Sequence, residues 1–321
     1  MRNPRIIFMG TPEFAVAALG SLLINGFHVA CVVTAPDKPA GRGRIVTESP
    51  VKKFAERHCL PVLQPVNLKD PEFIKTLGEF NADIFIVVAF RMLPEVVWKL
   101  PPEGTINLHA SLLPHYRGAA PINHAIINGE TLTGVTTFFI NDTIDTGNIL
   151  LREGVRIFPS DNAGDLHEKL TKFGARLVIR TLMGLTEESI IPLPQSNFLK
   201  PGEIPRTAPK IFPENCIIDW NNEAVRIHNL IRGLSPHPGA RSFFREGKLT
   251  YSYKIFESQP ERSEHQFSPG HIDSDGKSFI RIACKDGFIN ILSLQLEGKN
   301  RMNSVEFLRG FKIANLSIPV N

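Results

Sequence analysis

Ile84-Phe85-Ile86-Val87-Val88-Ala89 is apolar at every position and has the length of one strand. A strand with one wet face alternates in polarity. One that is apolar throughout is covered on both faces, as in a parallel sheet carrying helices on either side. Outward from this run, strand and helix signals alternate. Ile6–Met9 and His28–Thr34 read as strands, and Gly104–His109 as another. Between them, Glu13–Asn25 carries Phe14, Ala17, Ala18 and Leu22 at helical spacing and is followed by Gly26, while Val51–His58 and Pro71–Phe80 read as shorter helices. The pattern predicts an α/β fold with a doubly wound, mostly parallel sheet, whose sites lie at the carboxyl ends of the strands.

Thr133–Ile140 and Ile149–Phe158 continue the pattern, and a long helix is expected from about Asn162 to Gly184. Residues 190–209 then hold Pro192, Pro194, Pro201, Pro205 and Pro209, which forbid a helix and predict an extended linker. Beyond it Ala224–Arg232 has helical character, and Ser278–Cys284 and Phe288–Leu294 alternate like strands. The expected division is a catalytic domain over 1–189, a linker over 190–207 and a smaller β-barrel domain over 208–321.

The chain has 321 residues, enough for two domains, with 42% hydrophobic and 21% charged residues and a formal net charge of +4. That balance permits nucleic-acid binding without demanding it. Residues 208–321 hold 15 Lys/Arg against 12 Asp/Glu, so the second domain is only slightly basic. Cys31, Cys59, Cys216 and Cys284 form no C-x-x-C pair, which disfavours zinc and dithiol chemistry; no metal is expected, and a reducing compartment fits. The leading run Ile6–Met9 is too short for a signal-peptide core, and no stretch reaches the roughly 18 apolar residues of a membrane span. A cytoplasmic protein with no membrane association is expected, with a monomer as the default.

Two turns follow predicted strands. Gly10-Thr11-Pro12 has only the first glycine of a dinucleotide-binding G-x-G-x-x-G turn, and Pro12 lacks an amide donor, so nicotinamide and flavin enzymes are disfavoured. Asn107-Leu108-His109, followed by Ala110-Ser111-Leu112-Leu113-Pro114, is sharper. Positions 107 and 109 share a face of the strand, so an amide and an imidazole project together at the sheet's carboxyl edge. Asp145, in Asn141-Asp142-Thr143-Ile144-Asp145-Thr146-Gly147, adds a carboxylate able to orient or charge the imidazole.

With Tyr116-Arg117-Gly118-Ala119-Ala120-Pro121-Ile122 downstream, this block resembles the 10-formyltetrahydrofolate-dependent transformylases. Further matching blocks are Phe8–Val16, Lys38–Arg44, Thr133–Thr136, Ile144–Gly147, Ile218-Asp219-Trp220 and Leu230–Pro236, so the resemblance covers nearly the whole chain and is weakest after about residue 250. It implies a Rossmann-like catalytic domain and an oligonucleotide-binding (OB-like) barrel. It also implies Asn107, His109 and Asp145 as the catalytic trio, 10-formyltetrahydrofolate as donor cosubstrate, and methionyl initiator tRNA as acceptor. The reduced folate is expected against Ser111, Leu112, Leu113 and Pro114 and against Arg91, Met92 and Leu93. Lys38, Arg42 and Arg44, in a Gly-rich basic loop, are expected to grip tRNA, and Gly10, Thr11 and Phe14 to receive the methionyl group. A sugar-nucleotide N-formyltransferase and a noncatalytic RNA-binding protein on the same scaffold are the competing readings. The chain departs from the family pattern at His115 and Tyr116, where arginine and tryptophan are common, at Phe90-Arg91 in place of Tyr-Gly, and at Thr143 in place of a frequent glycine.

Overall fold

A computed structural model describes residues 3–40, 45–311, 313 and 316–318. In chain order the elements are β1 (Arg5–Gly10), α1 (Glu13–Ile24), β2 (His28–Val33), β3 (Lys38–Ala40), β4 (Ile45–Thr47), α2 (Pro50–Arg57), β5 (Val62–Leu63) and α3 (Pro71–Glu79). They continue through β6 (Ile84–Val88), α4 (Glu95–Trp98), β7 (Thr105–His109), α5 (Pro121–Ile127), β8 (Leu132–Phe139), β9 (Ile149–Arg156) and α6 (Ala163–Thr186). The last third holds α7 (Ala224–Gly233), β10 (Ala240–Glu246), β11 (Leu249–Arg262), β12 (Ile272–Ser274), β13 (Ile280–Cys284), β14 (Gly287–Leu296), β15 (Met302–Asn303) and α8 (Ser304–Gly310).

Seven strands form one sheet in the order β5-β2-β1-β6-β7-β8-β9, parallel from β5 through β7 and antiparallel across β7-β8-β9. Every residue of β6 is buried, as its unbroken apolar sequence requires. Each such side chain stabilises the fold by about 1.5–3 kcal/mol relative to exposure. The helices start where local chemistry dictates. Ser49 accepts a hydrogen bond from the Lys52 amide at the head of α2, Asp70 accepts one from Glu72 at the head of α3, and both helices have proline at their first position. At the β1–α1 turn a side chain on Gly10 would lie 2.6 Å from the Ala15 Cβ, so the glycine permits a tight turn without any pyrophosphate to approach it.

The compact units do not follow a single boundary along the chain. One comprises residues 1–119, 132–156 and 167–208; the other comprises 120–131, 157–166 and 209–321. The proline-rich stretch expected as a linker therefore groups with the sheet-bearing unit through residue 208, and α5 groups with the C-terminal unit. Within the second unit the antiparallel sheet runs β10-β11-β14-β13-β12, with β15 also on β14, forming an open half-barrel. Its core joins Trp220, Ile227, Ile231, Phe244, Tyr253, Ile289 and Phe307. Among the described residues no helix is long and apolar enough to cross a membrane.

Candidate active site

The carboxyl ends of β1, β6 and β7 bring together the loops that the sequence singled out. His109 closes β7 and is 7% exposed. Its Nε2 lies 2.8 Å from the Tyr116 carbonyl oxygen. A carbonyl only accepts, so Nε2 carries the proton and the neutral ring holds its lone pair on Nδ1. That lone pair faces Asp145, whose Oδ2 is 3.8 Å away, beyond hydrogen-bonding distance. The imidazole is thus oriented by the Tyr116 carbonyl, and the carboxylate supplies charge opposite the free nitrogen.

The backbone is bent to make this arrangement. Tyr116 and Asp145 both adopt left-handed φ values, +62° and +53°, which non-glycine residues visit rarely and which gather at functional sites. Tyr116 thereby turns its carbonyl onto the histidine. Gly118 donates its amide to Asp145 Oδ2 at 2.9 Å. At φ +120° this residue must be glycine, and a Cβ there would lie 2.5 Å from the Ala208 carbonyl oxygen.

Asn107 shares a face of β7 with His109, is half-buried, and has no side-chain hydrogen bond to protein among the described residues. Its amide is available to a ligand oxygen. The Ser111–Pro114 loop is built differently. Ser111 is fully buried and its hydroxyl donates to the His115 carbonyl at 2.7 Å, while its own carbonyl accepts from Thr136 Oγ1, which in turn accepts from the Leu113 amide. Leu113 and Pro114 are buried and Leu112 is half-buried. The Ser111 hydroxyl proton is committed within the loop.

Arg91, Met92 and Leu93 lie past β6, beyond Ala89 at φ +47°. Arg91 donates from Nη1 to the Val66 carbonyl at 2.8 Å and from Nη2 to the Pro65 carbonyl, and burial lowers its pKa. Leu93 packs into the core and Met92 is 75% exposed, so of the three only Met92 offers its side chain outward. At the β1 edge Gly10 and Phe14 are buried and Thr11 half-buried; the Phe14 ring meets His167 edge-on at 5.4 Å. Burial depresses the His167 pKa, with Glu168 and Glu13 acting in the opposite direction. His167 had no local sequence signal, because its neighbourhood is created by the packing of α6.

Lys38 is exposed at the start of β3; Arg42 and Arg44 lie outside the described residues. Lys52, part of the same basic run, is committed elsewhere. Its ammonium pairs with Asp37 at 2.5 Å and with Glu48 at 3.1 Å, and Gln64 donates to the other Asp37 oxygen. Those hydrogen bonds, the one from Lys52 foremost, hold the Asp37 carboxyl below its usual pKa.

The proline-rich stretch contributes what sequence reasoning missed. Leu193 exchanges both backbone hydrogen bonds with Ile149. Arg206 accepts from the Tyr116 amide, and Ala208 donates to the Arg117 carbonyl at 2.8 Å. Two of the departures from the family pattern, His115 and Tyr116, are used here. His115 Nε2 stands 3.3 Å from Glu203, and the Tyr116 hydroxyl accepts from Arg206 at 3.2 Å. Between these contacts Gln195, only 4% exposed, reaches both loops of the site. Alternating polar and proline residues carry no periodicity, so nothing in the local sequence marks Gln195 as buried.

Two family models match the chain. One, described as formyl transferase, covers residues 4–182, and the other, described as formyl transferase, C-terminal domain, covers residues 210–312. A protein of Bacteroides fragilis named methionyl-tRNA formyltransferase is 53% identical over 311 residues, which cover 96% of this chain and 95% of that one. One of the same name from Flavobacterium johnsoniae is 50% identical over 317 residues, covering 98% of each. Among solved structures, an N-formyltransferase from Helicobacter canadensis, in complex with folinic acid and dTDP-3-aminofucose, has a TM-score of 0.65 at 22% identity, covering 91% of this chain and 98% of that one. HypX from Aquifex aeolicus, in complex with tetrahydrofolic acid, has a TM-score of 0.63 at 18% identity over 96% of this chain, which spans 47% of the HypX chain. At those identities the two structures speak for the fold.

Proposed function

The chain belongs to the formyl transferase family, and from that premise we propose that it transfers the formyl group of 10-formyltetrahydrofolate to the α-amino group of methionyl initiator tRNA. The observation that carries the chemistry is the buried imidazole whose Nε2 is tied to the Tyr116 carbonyl and whose Nδ1 faces Asp145. The identity of the acceptor is supported by relatives named for it at 50–53% identity over nearly the whole chain.

In this reading the neutral α-amine attacks the formyl carbon, a C–N bond forms, and the carbonyl electrons move onto oxygen. The Asn107 amide donates to that oxyanion, a preorganised contact worth about 3–4 kcal/mol in the transition state. His109 Nδ1 takes the proton released by the amine. The resulting imidazolium then has N–H on both nitrogens, one held by Tyr116 and one facing the Asp145 carboxylate. Collapse of the tetrahedral intermediate restores the carbonyl and breaks the bond to N10. The imidazolium returns its proton to N10, leaving tetrahydrofolate and N-formylmethionyl-tRNA, with His109 neutral again.

The donor lies along the 91–93 and 111–114 segments, mainly through backbone groups and the exposed Met92, since Ser111 and Leu93 are occupied internally. Lys38, Arg42 and Arg44 grip the acceptor arm. The half-barrel adds RNA contacts, and the reaction takes place in the cytoplasm with a monomeric enzyme. The test is formyl transfer from 10-formyltetrahydrofolate with methionyl initiator tRNA, free methionine and a 4-amino sugar nucleotide as parallel acceptors. Formylation confined to the charged tRNA is expected. Formylation of the sugar alone would keep the chemistry and overturn the acceptor; silence with every acceptor, despite folate binding, would overturn the enzymatic reading.

A further inference from the structure

Two loops must hold their spacing for the site to work, and one side chain touches both. The first loop, 110–120, carries Tyr116, which orients His109, and Gly118, which anchors Asp145. The second, 140–148, carries Asp145 itself. Gln195 Nε2 donates to the Asp145 carbonyl at 2.8 Å and to the Gly147 carbonyl at 2.9 Å. Its Oε1 accepts from Arg117 Nε at 3.0 Å and Nη2 at 2.6 Å. Both N–H donors are used and the oxygen takes two bonds, one side of the amide engaging each loop. The side chain is nearly inaccessible to water, so these bonds have no ready solvent substitute.

We propose that Gln195 is a positioning residue for formyl transfer: it clamps the 140–148 loop to Arg117 and thereby fixes the Asp145 carboxylate opposite His109 Nδ1. The inference rests on the catalytic reading of Asp145. Backbone geometry explains why a clamp is needed. Asp145 sits at φ +53°, a conformation that relaxes unless its surroundings enforce it, and the Asp145 carbonyl is one of the two oxygens held. The residue type follows from the contacts. Glutamate is isosteric but has no N–H and would place a charge against two carbonyl oxygens. Asparagine is one methylene too short to reach both loops.

The test compares Gln195→Glu and Gln195→Ala with Thr181→Ala, a buried change outside the clamp that removes the hydroxyl contact to Thr137 and serves as a stability control. All are assayed in the full-length enzyme, well below the melting temperature, with kcat, KM for both substrates and the pH–rate profile. The Gln195 variants are expected to lose kcat by about 10- to 100-fold, with KM changed less than about threefold, because loosened geometry costs rate rather than binding. The pH–rate profile should move in the Gln195 variants and stay in place in Thr181→Ala. Combining Gln195→Ala with Asp145→Asn should cost little beyond Asp145→Asn alone, since the clamp acts through that carboxylate. Folded Gln195 variants with kcat within twofold of wild type, an unmoved pH–rate profile or fully additive losses would overturn the inference. Near-normal turnover by Asp145→Asn alone would instead overturn the reading on which it rests.

Discussion

The carboxyl edge of the seven-stranded sheet and the face of the C-terminal half-barrel use polar side chains in opposite ways. At the sheet edge, buried polar groups are aimed at backbone carbonyls: His109 at Tyr116, Ser111 at His115, Gln195 at Asp145 and Gly147. On the half-barrel, charged groups pair side chain to side chain. Arg281 bridges Asp273 at 2.7 Å and Glu261 at 2.8 Å while lying 4.1 Å from the centre of the Phe288 ring, and Arg301 reaches Glu257. The first pattern fixes atoms in place; the second keeps a charged surface in register. Chemistry requires the former and tolerates little displacement, whereas exposed ion pairs tolerate displacement at little cost.

That contrast predicts how variants should fail. Among variants that leave the catalytic side chains in place, the largest effect is expected for Gly118→Ala, which both forces a side chain toward the Ala208 carbonyl and withdraws the amide from Asp145. We expect kcat to fall about 100-fold, with little dependence on salt. A salt-sensitive loss confined to KM would dissolve the distinction between the two regions. Next comes Arg42→Ala, expected to weaken tRNA use by about tenfold at low salt and progressively less as salt rises, because a phosphate contact is screened. The same titration on Arg281→Ala should leave tRNA use within about twofold, since that guanidinium is already shared by two carboxylates; its loss should appear as about 1 kcal/mol of stability in denaturant melts.

A separate effect, on stability alone, concerns pH. His228, hydrogen-bonded to Ser258 inside the half-barrel unit, is held by burial near a pKa of about 4, against an ordinary value of 6.5. The unfolded chain therefore takes up a proton that the folded unit refuses, and stability falls as pH drops from about 6.5 toward 4. Allowing for partial solvent access, the loss should stay below about 2 kcal/mol, and His228→Gln should flatten that part of the stability curve. An unchanged curve would show that His228 does not contribute to it.

Much of this arrangement was legible in the residues. Unbroken apolar runs such as Ile84–Val88 announced buried parallel strands, and the two-residue spacing of Asn107 and His109 put both on one face of a strand end. What stayed hidden depends on partners distant in sequence. The Tyr116 carbonyl that orients His109 is a backbone atom, which no residue type advertises. Gln195 sits between prolines that predicted a spacer, and its burial exists only because two loops close over it. The α5 helix is seven residues long, too short for periodicity to register, and β11 runs through Pro260, a residue that argues against a strand until its pairing with β14 is known. Assignment of residues 120–131 and 157–166 to the C-terminal unit is likewise a product of tertiary packing.

The most direct test of the central claim is a single-turnover measurement on His109→Ala, with methionyl initiator tRNA and 10-formyltetrahydrofolate both saturating and binding measured separately. The rate of formyl transfer is expected to fall by at least about 1,000-fold, with the affinities for both substrates within about threefold of wild type and the protein folded. A folded variant that transfers formyl groups at close to the wild-type rate would remove the oriented imidazole from the mechanism.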